Sequence, residues 1–405
     1  MTDTRKPVES LLTDYDIFEP GFVANPYPGY SEIRESECPI ARTERYEGSW
    51  LPTRYEDVVA LAQEYEIFTS RGILVMPPPP GQAEGAYGGV AAPPITSDPP
   101  DHHWHRRLIL PVFAPQAVAK YEQSTRDLCN ALIDEFIDKG TADAAADYAQ
   151  HIPVRVISNM LGVPLDMEET FTGWVRGVLE NMTDMELRKR SRLAIIEYFL
   201  AQVEDRKKNP GDDLVSKLVV AAEDGSGMDD EHVVGNALLL LVGGNETTRN
   251  VITGGLEAMI RNPEQMALAR RSPEDLERAI EECLRWVTPI INMVRVTTED
   301  VEIRGVKIPK GSQVIMNYTA ANRDEDMFVE PHTFDVTRSP NPHIAFGWGP
   351  HLCLGASLAR LELRSIYTEL FKRTDTIEFA DPNYQPVYSH ASFVRGIQSL
   401  PVKFG

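Results

Sequence analysis

The feature that most constrains this chain is a long stretch, residues 230–262, that predicts a single helix. The acids Asp229 and Asp230 stand at its start, and Asn262-Pro263 predicts its end, because the residue before a proline is biased away from the helical conformation. At about 1.5 Å per residue such a helix is about 50 Å long, enough to cross the whole protein. Its middle, ALLLLVGGNETTRN, is apolar enough to be buried. We therefore expect this helix to run through the interior.

Three residues in the middle of this helix are unusual for a buried element. Glu246 is costly to bury unless its carboxyl group is paired or carries a proton. Gly243 and Gly244 each destabilise a helix interior by about 1 kcal/mol relative to alanine. In return, the glycines provide room for something flat to lie close to the backbone. The same residues also fit a close crossing of two helices with a hydrogen-bonded core glutamate, and both interpretations stay open on these residues alone.

The rest of the chain predicts helices followed by a short β portion. Between Asp101 and Trp286, apolar residues recur at three- and four-residue spacing, as in Ala117–Ile137, Met167–Leu179 and Glu186–Val203. Ser272-Pro273 predicts a helix start, with serine as the cap and proline in the first turn. Strands are predicted at Val294–Val296, Val301–Ile303 and Val314–Met316, and a final helix at Leu354–Phe371. The fold class is therefore mainly α with a minor β portion.

No internal repeat or linker divides the chain, so we expect residues 1–405 to form one domain, with residues 1–20 loosely ordered. Residues 76–100 are too rich in proline and glycine for a helix or a central strand. Long irregular stretches in compact proteins are usually functional loops or disordered segments. We interpret this one as a lid or substrate-contact loop, and the alternative is a plain surface loop.

Charge and cysteine content exclude several classes of protein. The net charge of −21 argues against nucleic acid or an anionic membrane as the main partner. The first twenty residues lack the apolar core of a signal peptide, and the longest apolar stretch, Ala237 to Val242, is far short of the ~20 residues that span a bilayer. Four scattered cysteines indicate neither a disulfide framework nor a zinc ribbon. We expect a cytoplasmic monomer without a membrane anchor.

The strongest chemical signal is the segment FGWGPHLCLG, residues 346–355. Its glycines predict a tight loop that ends where a helix begins, so Cys353 is expected at a helix N-terminus, where backbone N–H groups stabilise a thiolate. A thiolate held in this way could be a nucleophile or an iron ligand. His351 is too close along the loop to be a well-placed base for a nucleophile. A buried inert thiol is the remaining alternative.

This loop resembles the ligand loop of the cytochrome P450 family, F-G-x-G-x-H-x-C-x-G, matched at Phe346, Gly347, Gly349, His351, Cys353 and Gly355. The resemblance implies the cytochrome P450 fold, a domain shaped like a triangular prism with haem b between the long central helix and the helix after the Cys loop. Cys353 would be the axial ligand of the haem iron, and His351 would approach a propionate. Phe346 and Gly347 would line the cofactor. A thiolate ligand pushes electron density to iron and favours O–O cleavage.

A second motif of the same family, [A/G]-G-x-[D/E]-T, is matched from Gly243 to Thr247. It implies that Gly243 lies against the haem and that Thr247 hydrogen-bonds oxygen at the iron. Glu246 would relay protons from solvent, because such acid–base work needs a titratable group within reach. Together these residues imply oxygen activation with electrons delivered from outside.

Three basic residues match family positions that hold the haem propionates. His102 and Arg106 fit the pattern D-P-P-x-H-x-x-x-R, and Arg295 fits the arginine that holds the other propionate. His102, His103 and His105 also suggest a zinc site, but no further ligand motif supports it. Glu282 and Arg285 match the family's E-x-x-R pair, which is structural; taken alone they would be a surface ion pair.

The resemblance also implies a substrate pocket, formed by Leu239, Val242, Ile291, Met293 and Tyr87 under a roof from residues 75–90. These mostly apolar residues imply hydroxylation or epoxidation of a hydrophobic small molecule such as a terpenoid, steroid, fatty acyl or aromatic compound. O2 and electrons from a separate ferredoxin and its reductase are implied, with docking at a basic patch of Arg106, Arg107, His343, Arg360 and Arg364. The alternatives are a peroxide-driven or non-oxygenating haem-thiolate enzyme and, from another class, a haem-binding sensor or carrier.

Overall fold

The computed structural model describes residues 7–75, 92–179, 184–223, 228–389 and 393–405. Within these ranges the chain is mainly helical, with a minor β portion, as the sequence predicts. The helices are α1 (Leu11–Asp14), α2 (Pro20–Ala24), α3 (Tyr27–Glu35), α4 (Tyr55–Gln63), α5 (Asp101–Phe113), α6 (Pro115–Val118), α7 (Glu122–Phe136), α8 (His151–Leu161), α9 (Glu168–Leu179), α10 (Met185–Lys208), α11 (Leu214–Glu223), α12 (Asp230–Arg261), α13 (Pro263–Ala269), α14 (Pro273–Val287), α15 (Tyr318–Ala321) and α16 (Ala356–Arg373).

The strands form a five-stranded sheet in the order β1-β2-β8-β5-β3, a three-stranded sheet in the order β4-β10-β9 and the pair β6-β7. The strands are β1 (Ile40–Thr43), β2 (Ser49–Pro52), β3 (Phe68–Thr69), β4 (Thr141–Asp143), β5 (Met293–Thr297), β6 (Val301–Ile303), β7 (Val306–Ile308), β8 (Gln313–Met316), β9 (Ile377–Phe379) and β10 (Pro401–Phe404). The predicted strands correspond to β5, β6 and β8. The larger sheet places β5, which carries Arg295, between β8 and β3.

Helix α12 is the central element, and its limits agree with the sequence prediction. The Asp229 side chain accepts a hydrogen bond from the backbone N–H of His232 at 2.9 Å, which caps the first turn. The helix ends at Arg261, directly before Asn262-Pro263. Helices α8, α9, α10, α14 and α16 pack around it. The 32-residue helix therefore runs through the core and supplies a long buried wall.

The expectation that residues 1–20 are loosely ordered is wrong for the part that the structure describes. Tyr15, Ile17 and Phe18 are buried in the main hydrophobic core. The Tyr15 hydroxyl and Ser49 Oγ are 2.6 Å apart, which ties this segment to β2. Burial of these large apolar side chains stabilises the packing of the segment against the rest of the protein. The same core cluster continues to Val402, close to the end of the chain.

Glu282 and Arg285 form a fully buried ion pair rather than a surface pair. The Arg285 guanidinium donates two hydrogen bonds to the Glu282 carboxylate, at 2.8 and 2.7 Å. Arg338 Nε completes the group at 3.3 Å from Glu282 Oε2. Arg285 also donates to the backbone oxygens of Asn322 and Pro331, so the pair ties α14 to the segment before the Cys loop.

We expect Glu282→Ala to destabilise the protein by about 3–5 kcal/mol, because it leaves the buried Arg285 charge without its partner. The measurement is the free energy of unfolding in urea. Glu277→Ala, on the same helix, is the matched control: Glu277 forms an exposed ion pair with Arg364, and its loss should cost less than about 1 kcal/mol. Equal effects of the two substitutions would show that the Glu282 pair is not a structural element.

Among the described residues, no helix is both long and apolar enough to cross a lipid bilayer.

Candidate active site

A mainly apolar cavity of about 270 Å³ lies between α12 and the segment that carries Cys353. One wall is a single face of α12, made by Asn236, Leu239, Leu240, Gly243, Gly244 and Thr247. The opposite wall contains Phe346, Gly347, Cys353 and the first turns of α16. The two motifs that the sequence singles out therefore face each other across one space.

The two glycines of α12 have different roles. A Cβ atom built on Gly243 meets no atom within 4 Å, so this position opens directly onto the cavity. A Cβ atom on Gly244 would lie 3.2 Å from Ile157 of α8, so this glycine also allows a close helix crossing. Gly243 therefore leaves room beside the backbone, and Gly244 allows the close helix crossing, as the two interpretations of the sequence proposed.

The loop before α16 adopts the tight conformation that its glycines predict. Gly347 and Gly349 have φ angles of +73° and +68°, a region that favours glycine. A Cβ atom on Gly349 would also come within 2.6 Å of the backbone oxygen of Ala62 in α4. The Cys353 N–H donates to the Phe346 carbonyl at 2.8 Å and closes the loop. As a result Cys353 stands just before Gly355, the cap of α16.

The electrostatics of Cys353 indicate that its thiolate needs a cation. Burial raises the pKa of this thiol, while the Gly355 backbone N–H, Arg106 and Arg360 lower it. Burial has the larger effect, so the helix N-terminus does not by itself produce the thiolate that the sequence suggests. A directly bonded metal ion would supply the missing positive charge, since thiolates bind iron in the ionised form. The thiol is open to the cavity, so it fits the role of a haem iron ligand.

A group of hydrogen-bond donors lies beside the Cys-loop wall of the cavity. The rings of His102 and His351 have their centres 4.2 Å apart, and His351 Nε2 lies 2.9 Å from Ser70 Oγ. Burial and the nearby Arg106 lower the pKa of His102 to about 4, so this ring is neutral at neutral pH. Its two ring nitrogens are buried, and neither has a hydrogen-bond partner among the described residues.

The two arginines of this group lack acidic partners in the part of the chain that the structure describes. Arg106 donates to the Leu352 carbonyl at 2.6 Å, and the buried Arg295 donates to the Val294 carbonyl at 2.9 Å. Within the described ranges no carboxylate lies within ion-pair distance of either guanidinium. Arg295 is a buried cation without a counter-charge, which is unfavourable, and the half-buried Arg106 lines the cavity, so the site calls for anions from a ligand. The two propionates of haem match this need.

The three clustered histidines do not form a zinc site. Among the described residues, no group of three or more His, Cys, Asp or Glu side chains could hold a metal ion. His105 instead stacks on His232 of α12, with ring centres 5.0 Å apart.

Glu246 is fully buried and does not line the cavity. Arg249 Nη1 donates to Glu246 Oε2 at 3.0 Å, and Arg176 Nε of α9 lies 3.6 Å from Oε1. The positive charges of these two arginines compensate the buried Glu246 carboxylate. The sequence alone did not identify this pairing. Arg176 is one-third exposed, so the pair leads from the centre of α12 towards the surface. Thr247, next in the chain, does line the cavity, and its hydroxyl donates to the Gly243 carbonyl at 2.7 Å.

Two of the five predicted pocket residues line the cavity, namely Leu239 and Met293. Val242 does not, because successive residues of a helix turn by about 100° and Val242 falls away from the face of Leu239 and Gly243. Ile291 is buried but faces away, and its neighbour Ile290 takes the position instead. Tyr87 lies outside the described residues, as does most of the proline-rich loop. The end of this loop does contribute, through Pro94 and Ile95.

Sequence reasoning missed Glu362, a second buried acid, which lines the cavity from α16. Burial raises the pKa of its carboxyl group to about 8, against a smaller opposite effect of a hydrogen bond with Thr248. The signal was present: Glu362 interrupts the apolar stripe of α16, between Leu358 and Ile366. An acid on the buried face of an amphipathic helix is costly without a role or a partner, as at Glu246.

We expect Glu362 to make stability depend on pH. The folded protein holds this proton up to about pH 8, whereas an unfolded chain releases it near the ordinary pKa of 4.5. The folded state therefore binds more protons between these values, and stability falls as the pH rises through this window. Urea unfolding at several pH values should show that Glu362→Gln flattens this decline, while the surface substitution Glu264→Gln leaves it unchanged. An unaltered decline in Glu362→Gln would contradict this assignment.

Comparison with known proteins agrees with this site. The family model described as Cytochrome P450 matches residues 154–271 and 275–394. Steroid C26-monooxygenase of Mycobacterium tuberculosis is 38% identical over 317 residues, covering 76% of this chain and 85% of that protein. Methyl-branched lipid omega-hydroxylase of Mycobacterium bovis is 35% identical over 366 residues, covering 88% and 84%.

A solved structure shows the same architecture. CYP109E1 from Bacillus megaterium, crystallised in complex with testosterone, superposes with a TM-score of 0.86 at 29% identity, covering 95% of this chain and 99% of that chain. The family match implies a haem cofactor. The cavity around Cys353 and the unpaired donors beside it fit this cofactor. The chain belongs to the cytochrome P450 family and is a haem-dependent monooxygenase.

Proposed function

We propose that this protein uses haem b, bound through Cys353, to insert one atom of O2 into a hydrophobic small molecule. The observation that carries the proposal is that Cys353 lines the same cavity as Gly243 and Thr247. Bound haem supplies the chemistry, which is the reductive activation of O2 with electrons from a separate protein. His102 and Arg106 would hold one propionate, with His351 beside it, and Arg295 would hold the other. Each supplies N–H donors that lack a carboxylate partner in the described structure.

The residues of α12 divide the work of moving protons. The Thr247 hydroxyl lines the cavity and donates its hydrogen to the Gly243 carbonyl. A hydroxyl can both donate and accept, so it can turn to donate to a ligand in the cavity or accept a hydrogen bond from one. Glu246, the preceding residue, points about 100° away around the helix and lies beside Arg176. We propose that Glu246 exchanges protons with solvent past Arg176. Thr247 would form a hydrogen bond to the O2 ligand in the cavity.

The proposed substrate is an extended hydrophobic molecule, hydroxylated at a carbon that lies near Thr247. Leucine, isoleucine, phenylalanine and methionine side chains dominate the cavity lining, which favours apolar ligands. The relatives named above act on a steroid and on a methyl-branched lipid, and testosterone lies in the similar crystal structure. These names agree with the apolar lining and direct the choice of test compounds.

The test is a screen of steroids, branched lipids and terpenoids for a low- to high-spin shift of the haem absorbance. Compounds that give a shift are then incubated with isotopically labelled O2, ferredoxin and reductase. The proposal expects a product with one labelled oxygen atom and no product with hydrogen peroxide alone. A haem protein that makes no product from any binding compound would instead be a sensor or carrier, and a product formed only with peroxide would support the peroxide-driven alternative.

The predicted basic patch for ferredoxin is smaller than the sequence suggests. Arg360 and His343 both bind Glu281, and Arg364 pairs with Glu277, so three of the five basic residues are neutralised locally. Arg106 is bound to the Leu352 carbonyl at 2.6 Å. Arg107, the next residue of α5, is exposed. We therefore propose that the ferredoxin contact depends on Arg107 more than on Arg364.

Arg107→Glu should slow reduction of the haem by an acidic ferredoxin at low salt, and the effect should fade at high salt because ions screen exposed charges. The measurement is the stopped-flow rate of reduction across a salt series. Arg364→Glu is the comparison variant and should have the smaller effect, since that charge is already paired. If Arg107→Glu is reduced at the wild-type rate at low salt, the ferredoxin docks elsewhere.

We also propose that residues 1–405 act as a single catalytic domain and as a monomer in the cytoplasm. One core cluster joins residues from Tyr15 to Val402, which supports a single domain. The four cysteines are unpaired, and free thiols are typical of reducing compartments.

A further inference from the structure

One hydrogen bond joins the segment after β3 to the loop that carries Cys353. Ser70 Oγ lies 2.9 Å from His351 Nε2, although the two residues are 281 positions apart in the chain. Ser70 is fully buried and is not part of the cavity lining, whereas His351 is partly buried and lines the cavity. Any influence of the Ser70 hydroxyl on the site therefore passes through the His351 ring.

The position of Ser70 is set by a carboxylate on a different segment. The Ser70 N–H donates to Asp98 Oδ1 at 2.8 Å, and the hydroxyl of the neighbouring Thr69 donates to Asp98 Oδ2. Asp98 stands just before α5, at the end of the proline-rich stretch. The main chain of Ser70 is therefore held in place without help from His351.

The direction of the bond between Ser70 and His351 follows from burial. Within the described residues, the Ser70 hydroxyl hydrogen has a single acceptor in reach, His351 Nε2. If Nε2 donated instead, that buried hydrogen would be left without an acceptor, which is unfavourable. Ser70 is therefore the donor and Nε2 the acceptor, so the hydrogen of the imidazole ring lies on the other nitrogen, Nδ1.

The Nδ1 atom of His351 is free to meet a ligand. It has no hydrogen-bond partner among the described residues, and unlike both ring nitrogens of His102 it is not enclosed by protein. Because the ring lines the cavity, an N–H at this position can donate to an anion bound there. The opposite tautomer would turn a lone pair towards that anion, and two acceptors repel each other.

We propose that Ser70 is a positioning residue for the cofactor: its hydroxyl keeps the His351 hydrogen on Nδ1, from which it is donated to a haem propionate. The inference rests on the proposed function, because it needs haem in the cavity. It adds a residue outside the cavity to those that determine how firmly the cofactor is held.

The first test reads the tautomer directly, by nuclear magnetic resonance of isotopically labelled histidine in the reduced carbon monoxide complex, whose iron has no unpaired electrons. The His351 signals are identified by their loss in His351→Ala. Wild type should carry the hydrogen on Nδ1, and Ser70→Ala should lose this preference. Thr69→Val is the matched control, because its hydroxyl reaches Asp98 and not His351, and it should keep the wild-type tautomer. A hydrogen on Nε2 in the wild type would overturn the inference.

The second test measures how fast haem passes from the protein to a haem-scavenging protein. Ser70→Ala should speed this loss about 2- to 10-fold, the ratio expected for one weakened hydrogen bond. In a His351→Ala background the same substitution should have almost no further effect, because Ser70 acts through His351. Equal effects in both backgrounds would overturn the inference. Failure of the proposed function looks different: a haem-loaded protein would oxygenate no compound, while the tautomer is read without turnover.

Discussion

Cys353→Ala is expected to lower the rate of product formation more than about 100-fold. Loss of an outer-shell partner of a metal ligand already costs about 10- to 100-fold, and this substitution removes the proposed ligand itself. The fold should persist, because the side chain faces the cavity and the loop is held by backbone contacts: the residue 353 N–H still reaches the Phe346 carbonyl, and Gly349 still packs on Ala62. The measurement is product formed per protein with saturating ferredoxin, beside circular dichroism and haem content.

The control for this experiment is Cys38→Ala. Cys38 is partly buried in the segment before β1, and its thiol donates to the Ile40 carbonyl at 3.6 Å. This variant should form product at the wild-type rate. Normal turnover by Cys353→Ala would refute the assignment of this residue as the iron ligand.

Thr247→Ala is expected to uncouple electron consumption from product formation. The hydroxyl is placed in the cavity next to Gly243, and a hydrogen bond of this kind is worth about 1–3 kcal/mol, or about 5- to 150-fold in the partition between productive and wasteful turnover. Electrons should still be consumed, because Cys353 and the propionate donors are untouched. The measurement is product and hydrogen peroxide formed per NADH oxidised.

Two variants make this result specific. Thr247→Ser keeps the hydroxyl and should remain largely coupled. Thr253→Val removes another α12 hydroxyl, one that donates to the Arg249 carbonyl and does not line the cavity, and should remain coupled as well. A coupled Thr247→Ala variant would contradict the proposed role of the hydroxyl.

The parts of the fold that depend on local pattern were predictable. The limits of α12 follow from Asp229 and from Asn262-Pro263, and the start of α14 follows from Ser272, whose Oγ accepts from the Asp275 N–H at 3.1 Å. Strands β1 and β2 were not predicted. They are short, and β2 joins the larger sheet through a parallel pairing of Trp50 with Val314, a contact between distant parts of the chain.

The candidate site divides in the same way. Residues within compact motifs, such as Cys353 and Thr247, come together as the resemblance implies. Residues chosen by neighbourhood in sequence fail when the phase of the helix or strand is wrong, as at Val242 and Ile291. The partner of Glu246 on α9 could not be predicted, because its approach depends on how α9 packs over α12. Arg338 beside Glu282 is a similar case, since it lies on an irregular segment.

Binding of the Cys353 thiolate to haem iron can be read from the absorbance of the reduced carbon monoxide complex. A thiolate opposite carbon monoxide shifts the Soret band strongly to longer wavelength, whereas a neutral ligand such as histidine does not. We expect the shifted band in the wild-type protein and its loss in Cys353→Ala. An unshifted band in the wild type, or the same shifted band in both proteins, would contradict it.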